Sequence, residues 1–235
     1  MPANELTTTQ VLAEGELEIV ARMPHSSNGT FLATATIGTR SVRAIYKPMR
    51  GERPLWDFAP GLHRREVAAH RLAVAMGFDF IPATLLRDGP LGEGSVQLFV
   101  DVDEEQHYFT LFEVRPDLHD RFREIAVFDI VANNTDRKSG HVLVDADDRV
   151  WAIDHGLCLA ADFKLRTVIW EFGGEEISSE IIAAVERVSG DLPLDVATLL
   201  DEAEIAALHE RAAWLLEHRR FPVDPSGRRY PWPLV

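Results

Sequence analysis

FDIVANNTDRKSGHVLVDADDRVWAIDHGLCL, residues Phe128 to Leu159, is the stretch whose reading decides the fold. It holds two aspartates at expected edges of regular structure. Asp136 ends a helical run, in the loop NNTDRKSGH. Asp154 ends an expected β-hairpin, VLVDADDRVWAI, and precedes His155 and Gly156. A hairpin that returns one carboxylate beside another meets a need of phosphoryl transfer. There one carboxylate orients the attacking hydroxyl and another holds Mg²⁺ on the phosphates. Either aspartate alone reads as an ordinary turn or ion-pair residue. The signal lies in the combination and in what stands upstream.

Upstream, residues 16–22, 30–37 and 41–47 are β-branched or alternating and read as three strands separated by turns. A helix is expected over 62–76, closed by Gly77 with Pro82 beyond it. IPATLLR and SVQLFVDV read as two more strands around the turn DGPLGEG, and the acidic run DVDEEQ (101–106) as a boundary. Downstream, the run 118–134 places Leu118, Phe122, Ile125 and Asp129 on one helical stripe. Ser178 or Ser179 caps a further helix with Ile181, Val185 and Val188 on one face, ended by Gly190. Asp201 and Glu204 form a capping box ahead of a stripe of Ile205, Leu208, Ala212 and Leu215. The tail FPVDPSGRRYPWPLV is Pro-rich and read as irregular. Strands with one helix, then helices with one hairpin, predict an α+β protein. The expected arrangement is one domain over residues 1–235. Its small antiparallel β lobe covers about 12–102 and its mainly helical lobe about 103–235, with a nucleotide cleft between them.

The bulk composition narrows the choices. The 235 residues are 46% hydrophobic and 26% charged, enough for one large domain or two modest lobes with a real core. A net charge of −14 argues against a nucleic-acid partner and against broad attachment to anionic membrane. The basic groups Arg64, Arg65, Arg71 and Arg219, Arg220, Arg228, Arg229 read first as solvated faces. A single cysteine, Cys158, excludes a disulfide framework and reads as a small buried hydrophobe. The first ten residues lack the basic start and apolar run of a signal peptide, and no run approaches ~20 apolar residues. Together these lead us to expect a cytoplasmic protein without integral membrane association.

Three features of the expected β lobe bear on nucleotide chemistry. Lys47, at the end of the third strand in AIYKP, has the reach to bind phosphates, although the strand pattern alone reads as an edge lysine in water. Glu66 lies on the first long helix and, taken singly, reads as a surface residue beside Arg64 and Arg65. The loop MPHSSNGTF offers backbone N–H groups with Ser26, Ser27 and Asn28, but it matches neither GxGxxG nor the Walker pattern.

In order along the chain, AIYKP, GSVQLFVD, FDIVANNTDR and WAIDHGL resemble the phosphatidylinositol 3- and 4-kinase-like superfamily over about residues 16–165. The resemblance is to its small bacterial (actinobacterial-type) members, with the nearest echoes in type II phosphatidylinositol 4-kinases. It implies a two-lobed protein-kinase-like fold using ATP and Mg²⁺. Lys47 would bind phosphates, oriented by Glu66. Backbone groups of Leu98, Phe99 and Val100 would hold adenine. Asp136 would be the catalytic aspartate and Asp154 a metal ligand. Arg137 would order the catalytic loop or counter phosphate charge.

One position departs from that pattern. Five residues after the catalytic aspartate the superfamily usually carries asparagine as a second metal ligand, and here stands His141. Imidazole binds metals, but Mg²⁺ prefers oxygen, so Mn²⁺ becomes a candidate. Three readings follow. The first is an ATP-dependent phosphotransferase acting on a hydroxyl acceptor. The acidic charge favours a protein side chain or small soluble alcohol over a lipid. The second is a non-catalytic nucleotide-binding or regulatory protein on the same fold. The third is a metal-dependent phosphoesterase built on Asp136, His141, Asp154 and His155.

Overall fold

A computed structural model describes residues 6–24, 26 and 28–235. The chain divides into two compact units, Met1–Val67 with Pro82–Val100 and Ala68–Ile81 with Asp101–Val235.

The first unit is an antiparallel sheet of five strands, β1 (Glu16–Arg22), β2 (Phe31–Ile37), β3 (Arg40–Pro48), β4 (Thr84–Gly89) and β5 (Gly92–Leu98). Their spatial order is β1-β2-β3-β5-β4. Ile37 pairs with Arg40, so the β2–β3 turn has only two central residues, and Gly38 takes the positive φ (59°) that such turns demand. The buried side of the sheet is lined by Ala33, Ala35 and Ala44 with Tyr46 and Val96. Small side chains there let a short helix, α1 (Thr8–Glu14), lie close and bury Val11 and Leu12. The sequence reading did not include α1. Its start is nonetheless written in the chain, because Thr7 and Gln10 cap one another reciprocally at 2.8 and 3.1 Å.

The long helix α2 (Leu62–Met76) spans the border between the units. It stops as expected at Gly77, whose φ of 86° lets Phe78 N–H donate to Ala73 O at 2.8 Å.

The second unit contains α3 (Tyr108–Val114), α4 (His119–Val131), α5 (Ser179–Glu186), α6 (Leu194–Ala197) and α7 (Glu202–His218). A small sheet orders β6 (Val102–His107), β7 (Val142–Asp145) and β8 (Val150–Ala152) side by side. Its core joins Phe122, Ile125 and Phe128 of α4 to Ile182 and Val185 of α5 and to Leu208, Ala212 and Leu215 of α7. Arg211 of α7 donates to Val131 O at 2.9 Å, satisfying a carbonyl at the open end of α4.

Two expectations change. The acidic run 101–106 is not only a boundary: Val102–His107 is an edge strand whose acidic side chains face water. Its pattern hid it because burial falls on neither face. The helix opened by Ser178 ends at Glu186, before Gly190, as Val188 N–H tightens onto Val185 O at 3.1 Å. Among the described residues no helix is long and apolar enough to cross a membrane.

Candidate functional site

In the first unit, β3 lies between β2 and β5, so Lys47 is on a central strand opposite Ser95 and is not an edge lysine. Its Nζ is ion-paired with Glu66 of α2, a carboxylate only 3% exposed. A carboxylate so enclosed needs such a partner to stay ionised. The loop before β2 is tied to the segment after Lys47. Gly29 N–H donates to Gly51 O at 2.8 Å, and Arg53 N–H donates to Asn28 Oδ1 at 3.0 Å. A Cβ on either glycine would stand 2.8 Å from the other's Cα, so the two backbones meet where only glycine fits. Ser26 Oγ lies 2.9 Å from Asn28 O and 2.8 Å from Thr30 Oγ1. Ser26 and Asn28 thus build the loop with their side chains, while Ser27 lies outside the described residues. Leu98 N–H donates to Ala83 O at 2.8 Å and Phe99 N–H to Arg43 O at 3.0 Å. Those two N–H groups serve the sheet, and Val100 follows directly.

A second charged group in this unit was not foreseen. His63, in the first turn of α2, is 2% exposed. Its Nδ1 lies 2.6 Å from Glu52 Oε1 and its Nε2 3.1 Å from Glu93 Oε1. Both ring nitrogens face carboxylates, so the cluster suits the doubly protonated imidazolium. Burial opposes that charge, yet the two carboxylates outweigh it and raise the His63 pKa. Burial likewise pushes Glu52 up, but hydrogen bonds from the His63 ring and from the His63 and Gly61 N–H groups bring its pKa down to about 2.

In the second unit, the loop after α4 carries Asp136 and the end of β8 leads to Asp154. The His141 ring spans them, with Nδ1 3.0 Å from Asp136 O and Nε2 3.6 Å from Asp154 Oδ2. The Asp136 carbonyl can only accept, so Nδ1 is the donor in the shorter contact, and Nε2 faces the Asp154 carboxylate. A nitrogen and an oxygen donor so disposed fit a divalent cation, with Mn²⁺ better suited than Mg²⁺ to the nitrogen. Among the described residues no three His, Cys, Asp or Glu side chains gather to hold a metal by themselves. Asp154 has φ 59°, a conformation that costs a non-glycine residue free energy and tends to occur at functional positions. Burial pushes the Asp136 carboxyl up and neighbouring Asp154 adds to this, against the opposing pull of Lys138, whose Nζ is 3.3 Å away.

Arg137 points the other way. It is 0% exposed and its guanidinium binds Asp129 of α4, also 0% exposed, with Nη2 2.9 Å from Oδ1. Nη1 donates to Ile153 O at 3.0 Å, and Nη2 to His155 Nε2 at 2.7 Å. These contacts direct the guanidinium into the protein. His155 is 0% exposed and accepts from Arg137 through Nε2, which takes that nitrogen from the donor set of the phosphoesterase reading. Asp129, Asn134 and Thr167 around Arg137 were not singled out from sequence as site residues. The signal was a carboxylate on an otherwise apolar helical stripe, a position that demands a buried partner.

The protein is 38% identical over 260 residues to protein Rv2133c of Mycobacterium tuberculosis, a match covering 95% of this chain and 94% of that one. The chain belongs to the family of Rv2133c. It matches no protein-family profile. Among solved structures it is similar to the Helicobacter pylori proinflammatory kinase CtkA, with TM-score 0.54 and 12% identity over 88% of this chain and 94% of that one. It is also similar to hydra Fam20, solved with sugar, with TM-score 0.52 and 13% identity over 89% and 86% of the two chains. At these identities the likeness concerns the fold, which is α+β and protein-kinase-like.

Proposed function

We propose that this protein is an ATP-dependent phosphotransferase moving the γ-phosphate to a hydroxyl acceptor, as a small bacterial relative of the phosphatidylinositol 3- and 4-kinases. The observation that carries the proposal is His141, whose ring lies against both the Asp136 backbone and the Asp154 carboxylate. Residues 12–102 and 103–235 are read as lobes of one kinase-like domain. Lys47, held by Glu66, binds phosphate oxygens, and the backbone at Leu98, Phe99 and Val100 receives adenine through its carbonyls and the Val100 N–H. The loop of Ser26, Ser27 and Asn28 contributes backbone N–H groups.

Asp136 orients the acceptor hydroxyl and takes its proton, a role favoured by the upward push of burial on its carboxyl. Asp154 and His141 would hold the divalent cation, and a bound cation would neutralise charge on the β- and γ-phosphates. Arg137 keeps the loop in place. A protein side chain or a small soluble alcohol is the acceptor class that suits a chain of net charge −14.

Calorimetry of ATP with Mg²⁺ and then Mn²⁺ tests the reading on wild type, Lys47→Ala, Asp136→Ala and Asp154→Ala. Metal-dependent binding is expected in wild type and Asp136→Ala, and its loss in the other two. Loss in both of those would mean that residues of the two units serve one nucleotide. Asp136→Ala should lose phosphate transfer by roughly 10²–10⁴-fold. Binding without any turnover in wild type would favour a regulatory nucleotide-binding protein. No binding with either metal would overturn both readings.

A further inference from the structure

The buried face of α4 links the two candidate carboxylates. Asp129 Oδ1 accepts from Asn134 Nδ2 at 2.9 Å, and Asn134 Oδ1 in turn accepts from the Asp136 N–H at 3.0 Å. One residue therefore stands between Asp129 and the backbone of Asp136. On the other side, Asp129 Oδ1 and Oδ2 accept from Arg137 Nη2 and Nε, both at 2.9 Å, and Arg137 Nη1 holds Ile153 O, the carbonyl just before Asp154. Again one residue intervenes. Thr167 Oγ1 stands 3.5 Å from Oδ2 as a weaker contact. The backbone is tied to the same place, since Arg137 N–H donates to Arg166 O and Val168 N–H to Arg137 O, each at 3.1 Å.

We infer that Asp129 is the positioning residue that sets Asp136 and Asp154 in register, acting through Asn134 toward one and Arg137 toward the other. The inference rests on the phosphotransferase reading. A buried ion pair alone would need no such arrangement: its carboxylate could bind any enclosed cation. Here the acceptor atoms of one carboxylate fix both loops from a rigid helix, and an ångström of drift at a reacting group costs rate even when binding survives. Asparagine at 129 keeps the shape but turns one acceptor into a donor. One of the Asn134 and Arg137 donors would then meet another donor, and Arg137 would lose its counter-charge.

The test compares wild type, Asp129→Asn, Thr167→Val and the double variant Asp129→Asn/Arg137→Gln, each followed by thermal melting. Mn²⁺·ATP affinity is read by calorimetry, and turnover as γ-phosphate released to water at saturating Mn²⁺·ATP. Asp129→Asn is expected to lower kcat by roughly 10–100-fold while KM for ATP stays within about threefold. Thr167→Val removes the long contact with Asp129 and the acceptor of the buried Ile169 N–H at 3.0 Å, so it is expected to lower the melting temperature while reducing kcat less than Asp129→Asn does. The double variant removes both buried charges, so its melting temperature should recover toward wild type while kcat stays low. Recovery of kcat along with stability would make Asp129 a structural residue only and overturn the inference, as would an unchanged kcat in Asp129→Asn beside an active wild type. A wild type that neither binds nor turns over Mn²⁺·ATP would instead sink the phosphotransferase reading, and this inference with it.

Discussion

Lys47 and Glu66 in the first unit form a pair whose lysine is 22% exposed, whereas Asp129 and Arg137 in the second are both 0% exposed. Water reaches the lysine of the first pair and neither member of the second. A lysine in contact with solvent can leave its carboxylate for a phosphate and return, because hydration covers much of the exchange. An enclosed arginine cannot, since every donor it gives up would have to be replaced inside the protein. The first pair is therefore suited to meeting a ligand, and the second to holding a framework. The loops follow the same division. In the first unit the Asn28 side chain ties its loop to the exposed Arg53 N–H, while in the second the loop of Asp136 is fixed on a buried helix.

Removing one cation from each pair is the strongest way to break this contrast. Arg137→Met strands Asp129 in the core and should cost about 3–5 kcal/mol of stability. Lys47→Met removes a partner that water already reaches but leaves the enclosed Glu66 carboxylate behind, so it should cost less than Arg137→Met, about 1–3 kcal/mol. Urea denaturation of the two variants decides it. Equal losses would mean that the Lys47 pair is as much a framework element as the Arg137 pair.

A smaller contrast lies in two glycines. At Gly51 a Cβ would stand 2.8 Å from both Cα and O of Gly29, backbone atoms that cannot swing aside. At Gly140, in the loop of Asp136, the nearest atom to an added Cβ is Val235 Cγ1 at 3.8 Å, an ordinary contact. Gly51→Ala should therefore cost about 1–3 kcal/mol and part the two loops. Gly140→Ala should stay within about 0.5 kcal/mol of wild type. Melting curves of both variants test the pair, and similar losses would show that backbone crowding does not distinguish the loops.

Much of this was legible because local chemistry and tertiary need agreed. The strands 16–22, 30–37 and 41–47 alternate, and β1, β2 and β3 form within a residue or so of those bounds. Asp201 and Glu204 cap α7 as their spacing predicts, at 2.8 and 3.0 Å. What could not be read was set by residues distant in the chain. His63 gives no periodic signal of its charge state, because Glu52 and Glu93 reach it from a loop and from β5. The tail looked irregular and is so, yet Leu234 O accepts from Ser139 N–H at 2.8 Å and Arg229 O from Thr167 N–H at 3.1 Å. No pattern within FPVDPSGRRYPWPLV announces those partners. The strand β6 was missed for a related reason: an edge strand with acidic residues on view has no apolar face to reveal it.

The subtlest test of the contrast is pH, which should act on the first unit's cluster through His63. The groups facing its ring are Glu52 from the loop before α2 and Glu93 from β5, with Arg64 on its own helix bound to Glu93 at 3.0 Å. A histidine whose pKa is raised by folding contributes stability that is complete below its unfolded value near 6.5 and is lost as pH climbs through the raised value. A glutamate lowered to about 2 contributes stability that is complete above its unfolded value near 4.5 and is lost as pH falls toward 2. The two windows overlap between about 4.5 and 6.5. There wild type should exceed His63→Gln by about 1.5 kcal/mol, the scale of a hydrogen bond to a charged group. Above that range the gap should close as the imidazolium loses its proton, because glutamine has no charge to lose. Chemical denaturation at pH 5.5 and pH 9 checks the sign, and a gap that stays constant or widens with pH would mean that His63 holds the loop by shape and not by charge.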